Sequence, residues 1–464
     1  MATVAEQLAA RALAPLSQAD ADALRALTLT NIAAGVGERG ALADLLPALP
    51  LDARRPADAA YLFAAQLHAR TQDDFHPEGR VHVGAIVLAA VLALAEEDTG
   101  QGRGLPALAG DADAHKRTLP ELARLTRGEE ADAHARTLPA LAAGYRVLCT
   151  VARSYSVQAQ RRGLRPSGVF GPFGAAAAAA VMLGLDPTQT ANAIALSAAA
   201  CGGHNQAWIA SSDEWFCEVG AAARAGVEAA LFTRAGVRAA PDAIEGKAGW
   251  AAALFDEPGA AGLTETLAEH SEEQERELSP QAVAVKPYPV SGIAQVPTGL
   301  ACALHDDAAG DPIADVRVSV SPIEHAYPGS GNRGPFASRA SALMSIAFCV
   351  ACGLADGTVR LARLERPGAP DLAELLSRVS VVPDPALPEN EARVALRTAG
   401  GRELSRSGRA ADVLFPPWAR ISADGEELAR RSEAAAESVA RARDALSAPA
   451  PSATELRRLL EVGT

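Results

Sequence analysis

Aromatic residues are scarce. Four Trp, five Tyr and ten Phe make up 4% of the 464 residues, so a core must be filled by Ala, Leu and Val, and the lack of β-branched runs favours helix. Positive charge is short as well: 43 Lys and Arg face 56 Asp and Glu, a formal net charge of −13. That balance excludes a nucleic-acid footprint, which needs a basic face, and an anionic membrane surface. It still allows a small anionic substrate in a local basic pocket. The six cysteines (Cys149, Cys201, Cys217, Cys302, Cys349 and Cys352) are scattered through apolar text. In a chain this long they make no disulfide framework, and a reducing compartment is expected. The longest apolar stretch, Val83 to Ala95, is too short to span a bilayer. The opening run MATVAEQLAARALAPLSQADADALRALTL is amphipathic and acidic, with neither a basic n-region nor an apolar h-region. The expected location is cytoplasmic.

What is there is largely helical. Apolar residues make up 49% of the chain, and its length suggests two domains. Apolar positions recur at three and four over Ala59–Ala69, Ala85–Leu94, Leu138–Ala152, Ala175–Leu183, Thr188–Ala200 and Val219–Ala235. One internal repeat is present: ADAHKRTLPELA at 112–123 returns as ADAHARTLPALA at 131–142. Two copies do not make a solenoid; they read as a duplication lengthening an interhelix connection, with His115 and His134 as solvated loop residues. After Gly262 the texture changes. Val316–Ser321 alternates with period two, and Val379–Val382 and Ala392–Arg397 read as further strands with Ala399–Gly401 as a turn. Helical stretches lie at Ser338–Leu354 and Asp371–Ser377, and charged helix returns from Ser422 to Leu446. The expected fold is mainly α: a large all-helical domain formed by residues 1–264 and 412–464, with a smaller α+β domain, 265–411, inserted between them.

Four motifs carry a family resemblance. Asp73-Asp74-Phe75-His76-Pro77 leads to His82 and GAIVLAAVLALAEE; RGLRPSGVFGPFGAAAAAAVMLGLD begins at Arg162; Ile244-Glu245-Gly246-Lys247-Ala248-Gly249-Trp250 forms a turn; and Lys286-Pro287-Tyr288-Pro289 closes the set. In order and spacing these resemble the MmgE/PrpD type, the group that contains 2-methylcitrate dehydratases, cis-aconitate decarboxylases and iminodisuccinate epimerase-like proteins. The resemblance implies a helical domain, an α+β lid, a cleft between them, a homodimer, and acid-base chemistry on a di- or tricarboxylate. It also exposes departures. His82 and Lys286 are kept, whereas the family histidine of Phe-His-Pro is Arg165, a family lysine is Trp215, a family histidine is Glu218, and the family tyrosine of the later helix falls at Phe348.

The residues themselves suggest roles. His82 opens an apolar helix beside two carboxylates, and Asp73 or Asp74 could hold its imidazole in one tautomer, which makes a base. His76 is a second candidate base. Lys286 precedes Pro287 and so has extended backbone; it could supply a point charge to a leaving oxygen. Glu218 is a base, a partner for Arg165 or Arg224, or a helix-end charge. Arg165 cannot shuttle a proton, but its fork suits a carboxylate or phosphate. Trp215, Ser291 and His204 are counted with it as substrate-binding. Arg333 joins them on the loop Gly329–Gly334, which could form an anion nest. Cys349 and Cys352 read as core thiols without a second pair.

The expected activity is that of a lyase removing a proton and expelling an oxygen leaving group, water or phosphate, from a small anionic substrate, with neither metal nor organic cofactor. The alternatives are an isomerase or epimerase of a small dicarboxylate, and a non-catalytic binding protein.

Overall fold

Local capping chemistry sets the first helices of this computed structural model, which describes residues 2–38, 41–95, 119–269, 271–414, 421 and 425–461. Thr3 accepts the Glu6 amide while the Glu6 carboxylate returns to the Thr3 N–H, and this reciprocal cap opens α1 (Val4–Ala12). Ser17 caps α2 (Gln18–Gly37), and Pro56, in the first turn where its missing N–H costs nothing, opens α3 (Pro56–His68). Then come α4 (Val83–Ala93), α5 (Leu119–Arg161), α6 (Pro166–Met182), α7 (Pro187–Ser197) and α8 (Glu214–Arg234). All eleven residues of α4 are buried, as suits a helix that is apolar all round.

Small residues let these helices approach closely. A Cβ on Gly226 of α8 would lie 2.3 Å from the Cβ of Ala175 in α6, so the crossing depends on the missing methyl. Two sequence expectations change here. The second copy of the repeat, 131–142, is not a connection but part of α5, and His134 Nε2 lies 3.0 Å from Ser452 Oγ near the C-terminus. Leu138, Ala140, Leu141 and Ala143 are buried on that helix, which accounts for its continuing. The first copy falls largely outside the described residues, His115 with it. The glycine-rich run before the Ala tract is likewise helical: α6 starts at Pro166.

The remainder is α+β. Strand β1 (Ile313–Val320) lies at the centre of a four-stranded sheet with β2 (Val379–Pro383), β3 (Glu391–Thr398) and β4 (Glu403–Arg409), in the order β2-β1-β3-β4. β1 and β2 pair in parallel and the other two pairs are antiparallel. Val316, Val318 and Val320 turn inward, as their alternation predicts. The sheet packs against α9 (Gly292–Ala308). The expected single helix over 338–354 is two, α10 (Arg339–Met344) and α11 (Ile346–Asp356). Ser345 is extended between them, with its Oγ accepting the Phe348 amide and donating to Asn332 O. The C-terminal charged stretch is also broken, into α12 (Gly425–Ser432) and α13 (Ala436–Ser447), before α14 (Ala453–Glu461). Between α12 and α13, Glu433 takes φ +54°, and its carboxylate accepts from Arg70 and from the Leu361 amide.

Apolar side chains form two main clusters. The larger joins α1–α8 to Val439, Leu446, Leu456 and Leu460, so the two ends of the chain share one core. The second holds the sheet, α9 and α11 and also takes Trp208, Trp215 and Phe216 from the helical part. No helix among the described residues is long and apolar enough to cross a membrane.

Candidate active site

The turn from α3 into α4 separates the two adjacent aspartates. Asp74 faces inward: its carboxylate accepts from the Gly84 N–H at 2.6 Å, from Asn31 Nδ2 at 2.8 Å and from the Tyr145 hydroxyl. Burial raises its pKa to about 6 in spite of these donors. It anchors the start of α4 and does not reach the cleft. Asp73 turns the other way. His76 is also committed: Nε2 donates to Glu277 O at 2.9 Å, Nδ1 accepts the Gly79 N–H at 2.8 Å, and the ring is buried. Both nitrogens are in use, so the structure does not offer it as a base. Thr71 and Arg80, at the two ends of this turn, have φ of +53° and +50°, the kind of strain that persists where surroundings over-determine the backbone.

Asp73 is the centre of a buried network. Its Oδ2 lies 3.0 Å from His68 Nδ1 and 2.9 Å from His82 Nδ1, and its Oδ1 accepts from Lys286 Nζ at 3.2 Å. Burial alone would raise this carboxyl, but His82, Lys286 and His68 together hold it well below its ordinary value. The tautomers follow from donor logic. Arg165 Nη2 meets His68 Nε2 at 2.8 Å; a guanidinium only donates, so His68 carries its proton on Nδ1 and gives it to Asp73. His82 donates to Asp73 through Nδ1 in the same way, the carboxylate being nearer than Lys286 Nζ at 3.3 Å. Nε2 of His82 is then a lone pair, and His82 lines the cleft with 19% of its side chain exposed. Burial pushes His68 down to about 4 and lowers His82 too, against the pull of Asp73, so both imidazoles are neutral at neutral pH.

His68 was not singled out from the sequence, where it reads as the end of an apolar helix. Lys286, one of three lysines in the chain, is fully buried under the ring of Phe75. His68, Asp73 and His82 are the one trio among the described residues whose ligand atoms could converge on a metal ion. The Lys286 ammonium and the Arg165 guanidinium already contact those donors, so the set is served by the protein's own cations.

Arg165 is positioned by backbone. Its N–H donates to Gly203 O at 3.2 Å, the Gly202 N–H donates to Gly168 O at 3.2 Å, and Asn205 N–H donates to Gly163 O at 2.9 Å. A Cβ on Gly168 would fall 2.2 Å from Gly202 O, so this ladder requires glycine. The guanidinium donates to Glu218 at 3.1 Å, to Trp215 O and to His68, and it stacks 5.0 Å from Trp208. Of the three readings of Glu218, the structure places it as the partner of Arg165; its other oxygen accepts the His204 N–H at 2.9 Å. Trp215 is buried against His68 and Trp208 and packs without lining the cleft. The His204 ring points outward, with 60% of its side chain exposed. Neither Trp215 nor His204 is brought to the substrate space. Arg333 is exposed and donates to Leu376 O, the amides of Ser330, Asn332 and Gly334 are taken up by Tyr327 O, Gly329 O and Asn332 Oδ1, and residues 329–334 do not line this cleft.

The cleft spans about 800 Å³, a volume that includes its opening to solvent. Its helical side carries Thr71, Phe75, Arg80, His82, Arg165 and Trp208, and its α+β side carries Ser291, Tyr327, Leu343, Met344 and Glu389. Ser291 Oγ is buried without a protein partner. Tyr327, absent from the sequence reading, has its phenol kept protonated by burial, with Arg165 and Arg80 opposing. Phe348, the position matched to the family tyrosine, packs on Phe336 in the core instead. Arg80, also missed, pairs with Glu389. Cys349 and Cys352 are buried free thiols, as expected of core residues.

Curated proteins supply no match to this chain. Residues 51–262 match the MmgE/PrpD N-terminal domain, and residues 288–411 match the MmgE/PrpD C-terminal domain. Together these cover most of the chain and bracket every residue of the cleft, so the chain belongs to the MmgE/PrpD family.

Proposed function

We propose that the protein is a cofactor-independent lyase. It removes a proton next to an activating carbonyl or carboxyl group and expels an oxygen leaving group, with His82 Nε2 as the base. The observation that carries this reading is the His68–Asp73–His82 arrangement, which leaves one neutral imidazole with its lone pair toward the cleft and a carboxylate behind it to stabilise the imidazolium. Family membership supports the lyase class. Tyr327, protonated and electrostatically near Arg80 and Arg165, suits proton delivery to a departing hydroxide. Arg165 and Lys286 are paired with carboxylates, and Arg333 donates to Leu376 O outside the cleft lining, so water suits the site as leaving group better than phosphate.

We further infer that residues 265–411 act as a lid over a helical domain made of 1–264 and 412–464, and that two chains pair through the helical domain. Light scattering showing a stable monomer at micromolar concentration would remove the pairing. An epimerase remains the second reading, because Tyr327 could return a proton from another direction than His82. Incubation with 2- and 3-hydroxy acids in deuterated water separates the two: elimination gives an unsaturated product that absorbs in the ultraviolet, whereas epimerisation gives deuterated substrate alone. A binding protein gives neither. His82→Gln is expected to lower turnover by about 10²–10⁴-fold; full activity in this variant would remove the base assignment.

A further inference from the structure

We propose that the substrate is an amphiphilic monocarboxylate, with its single anionic end beside His82 and Ser291 and an apolar body against Phe75, Trp208, Ile293, Leu343 and Met344. The inference rests on the lyase reading for where the chemistry happens, and on two independent features for the class.

The first feature is charge. Among the described residues, each cation of the cleft and of the network behind it has its own carboxylate: Arg165 has Glu218 at 3.1 Å, Lys286 behind His82 has Asp73 at 3.2 Å, and Arg80 has Glu389. His82 and His68 are neutral. A substrate with two or three carboxylates would bring charge into a place where each guanidinium is already compensated, and a buried charge without a counter-charge is costly. A single carboxylate incurs that cost once, with the Ser291 hydroxyl and the lining guanidiniums of Arg165 and Arg80 as its donors, and each further carboxylate adds to it.

The second feature is the wall. Phe75, Trp208, Leu343 and Met344 are buried, and each lines the cleft. Ile323 lies on the same lining and is 44% exposed, one of the large apolar side chains left most open to water. An apolar tail running from Met344 toward Ile323 would cover the exposed isoleucine. Polar demand at this wall is small. Ser291 Oγ, buried and unpartnered, asks for one hydrogen bond, which a hydroxyl or carboxylate oxygen of the substrate supplies.

The test is calorimetric titration of the full-length protein with two probes, 3-hydroxyoctanoate and citrate, alongside a turnover assay with each. The expected result is that 3-hydroxyoctanoate binds at least about tenfold more tightly than citrate. Met344→Glu should weaken 3-hydroxyoctanoate by about tenfold, and Glu389→Gln, which frees Arg80, should strengthen citrate binding. The proposal is overturned if citrate binds as tightly or more tightly, if neither probe binds at millimolar concentration, or if Glu389→Gln leaves citrate unchanged. The two readings fail separately. Binding of 3-hydroxyoctanoate without turnover overturns the lyase reading and leaves the substrate class standing, while dehydration of citrate overturns the class and leaves the lyase.

Discussion

His68 and His82 share one carboxylate oxygen, and that sharing decides how the site responds to pH. Burial holds His68, His76 and His82 below their unfolded value of 6.5. Between about pH 4 and 6.5 the unfolded chain therefore binds more protons, and stability rises with pH across that window by up to about 1.4 kcal/mol per group for each unit crossed. Asp74, raised to about 6, and Glu324, also raised by burial, act in the opposite sense over the carboxylate range. Three histidines outweigh two acids, and above pH 6 they act unopposed by Asp74. The melting temperature should fall as pH drops from about 7 to about 5; a flat or rising profile would contradict the neutral buried imidazoles. The same lowering places the acid limb of kcat/KM below about pH 5 rather than near 6.5, which a pH–rate profile checks. His82 and the Asp73/Asp74 pair were legible in the sequence because charged types stand out beside an apolar helix, and Lys286 because it heads the Lys-Pro-Tyr-Pro motif. Which aspartate faces the chemistry was not, since that depends on Asn31 and Tyr145, 43 and 71 residues from Asp74. His68 and Tyr327 were missed because nothing local marks a histidine at a helix end or a tyrosine before a Pro-Gly turn as facing a cleft.

Helix crossings in this protein depend on what is missing from their side chains. Gly226→Ala should gain about 1 kcal/mol of helix propensity, but its methyl would sit 2.3 Å from Ala175 Cβ and 2.5 Å from the Ala176 backbone nitrogen. Overpacking against backbone costs about 1–3 kcal/mol, so we expect a net loss of up to about 2 kcal/mol by denaturant melting; an unchanged midpoint would show that α6 and α8 can part freely. Element existence was largely readable. The expected helix over 219–235 is α8, and VRVSVS is β1. The breaks at Ser345 and Glu433 were not, because both are fixed from afar: Ser345 Oγ donates to Asn332 O, and Glu433 meets Arg70, 363 residues away. β4 was not singled out because Glu403–Arg409 is polar and carries no apolar alternation.

At the scale of the whole molecule, a second buried ion cluster, besides the Asp73–Lys286 pair, ties the helical part to the α+β part. Arg339, at the start of α10, donates to Glu38 at the end of α2 at 2.8 Å, to Ala69 O at 2.8 Å and to Glu365. Glu38→Gln keeps the shape and removes a charge. With Glu365 left to compensate Arg339, the loss should be about 2 kcal/mol, below the roughly 3–5 kcal/mol of a buried pair broken outright. Because α10 also carries Leu343 and Met344 into the cleft, KM should rise in parallel, and a stability loss with unchanged KM would show that the tie does not position that wall. Composition made a mainly helical chain legible, but the meeting of two distant segments in one cleft lies beyond any local pattern. That meeting has a consequence for descent. His68, Asp73 and His82 fall within one short stretch, while Ser291, Tyr327, Leu343 and Met344 come from another. Drift in the second stretch can change which molecules are accepted without touching the proton-handling trio, so grafting residues 288–411 between relatives should transfer the share of selectivity that this wall sets and leave the base untouched.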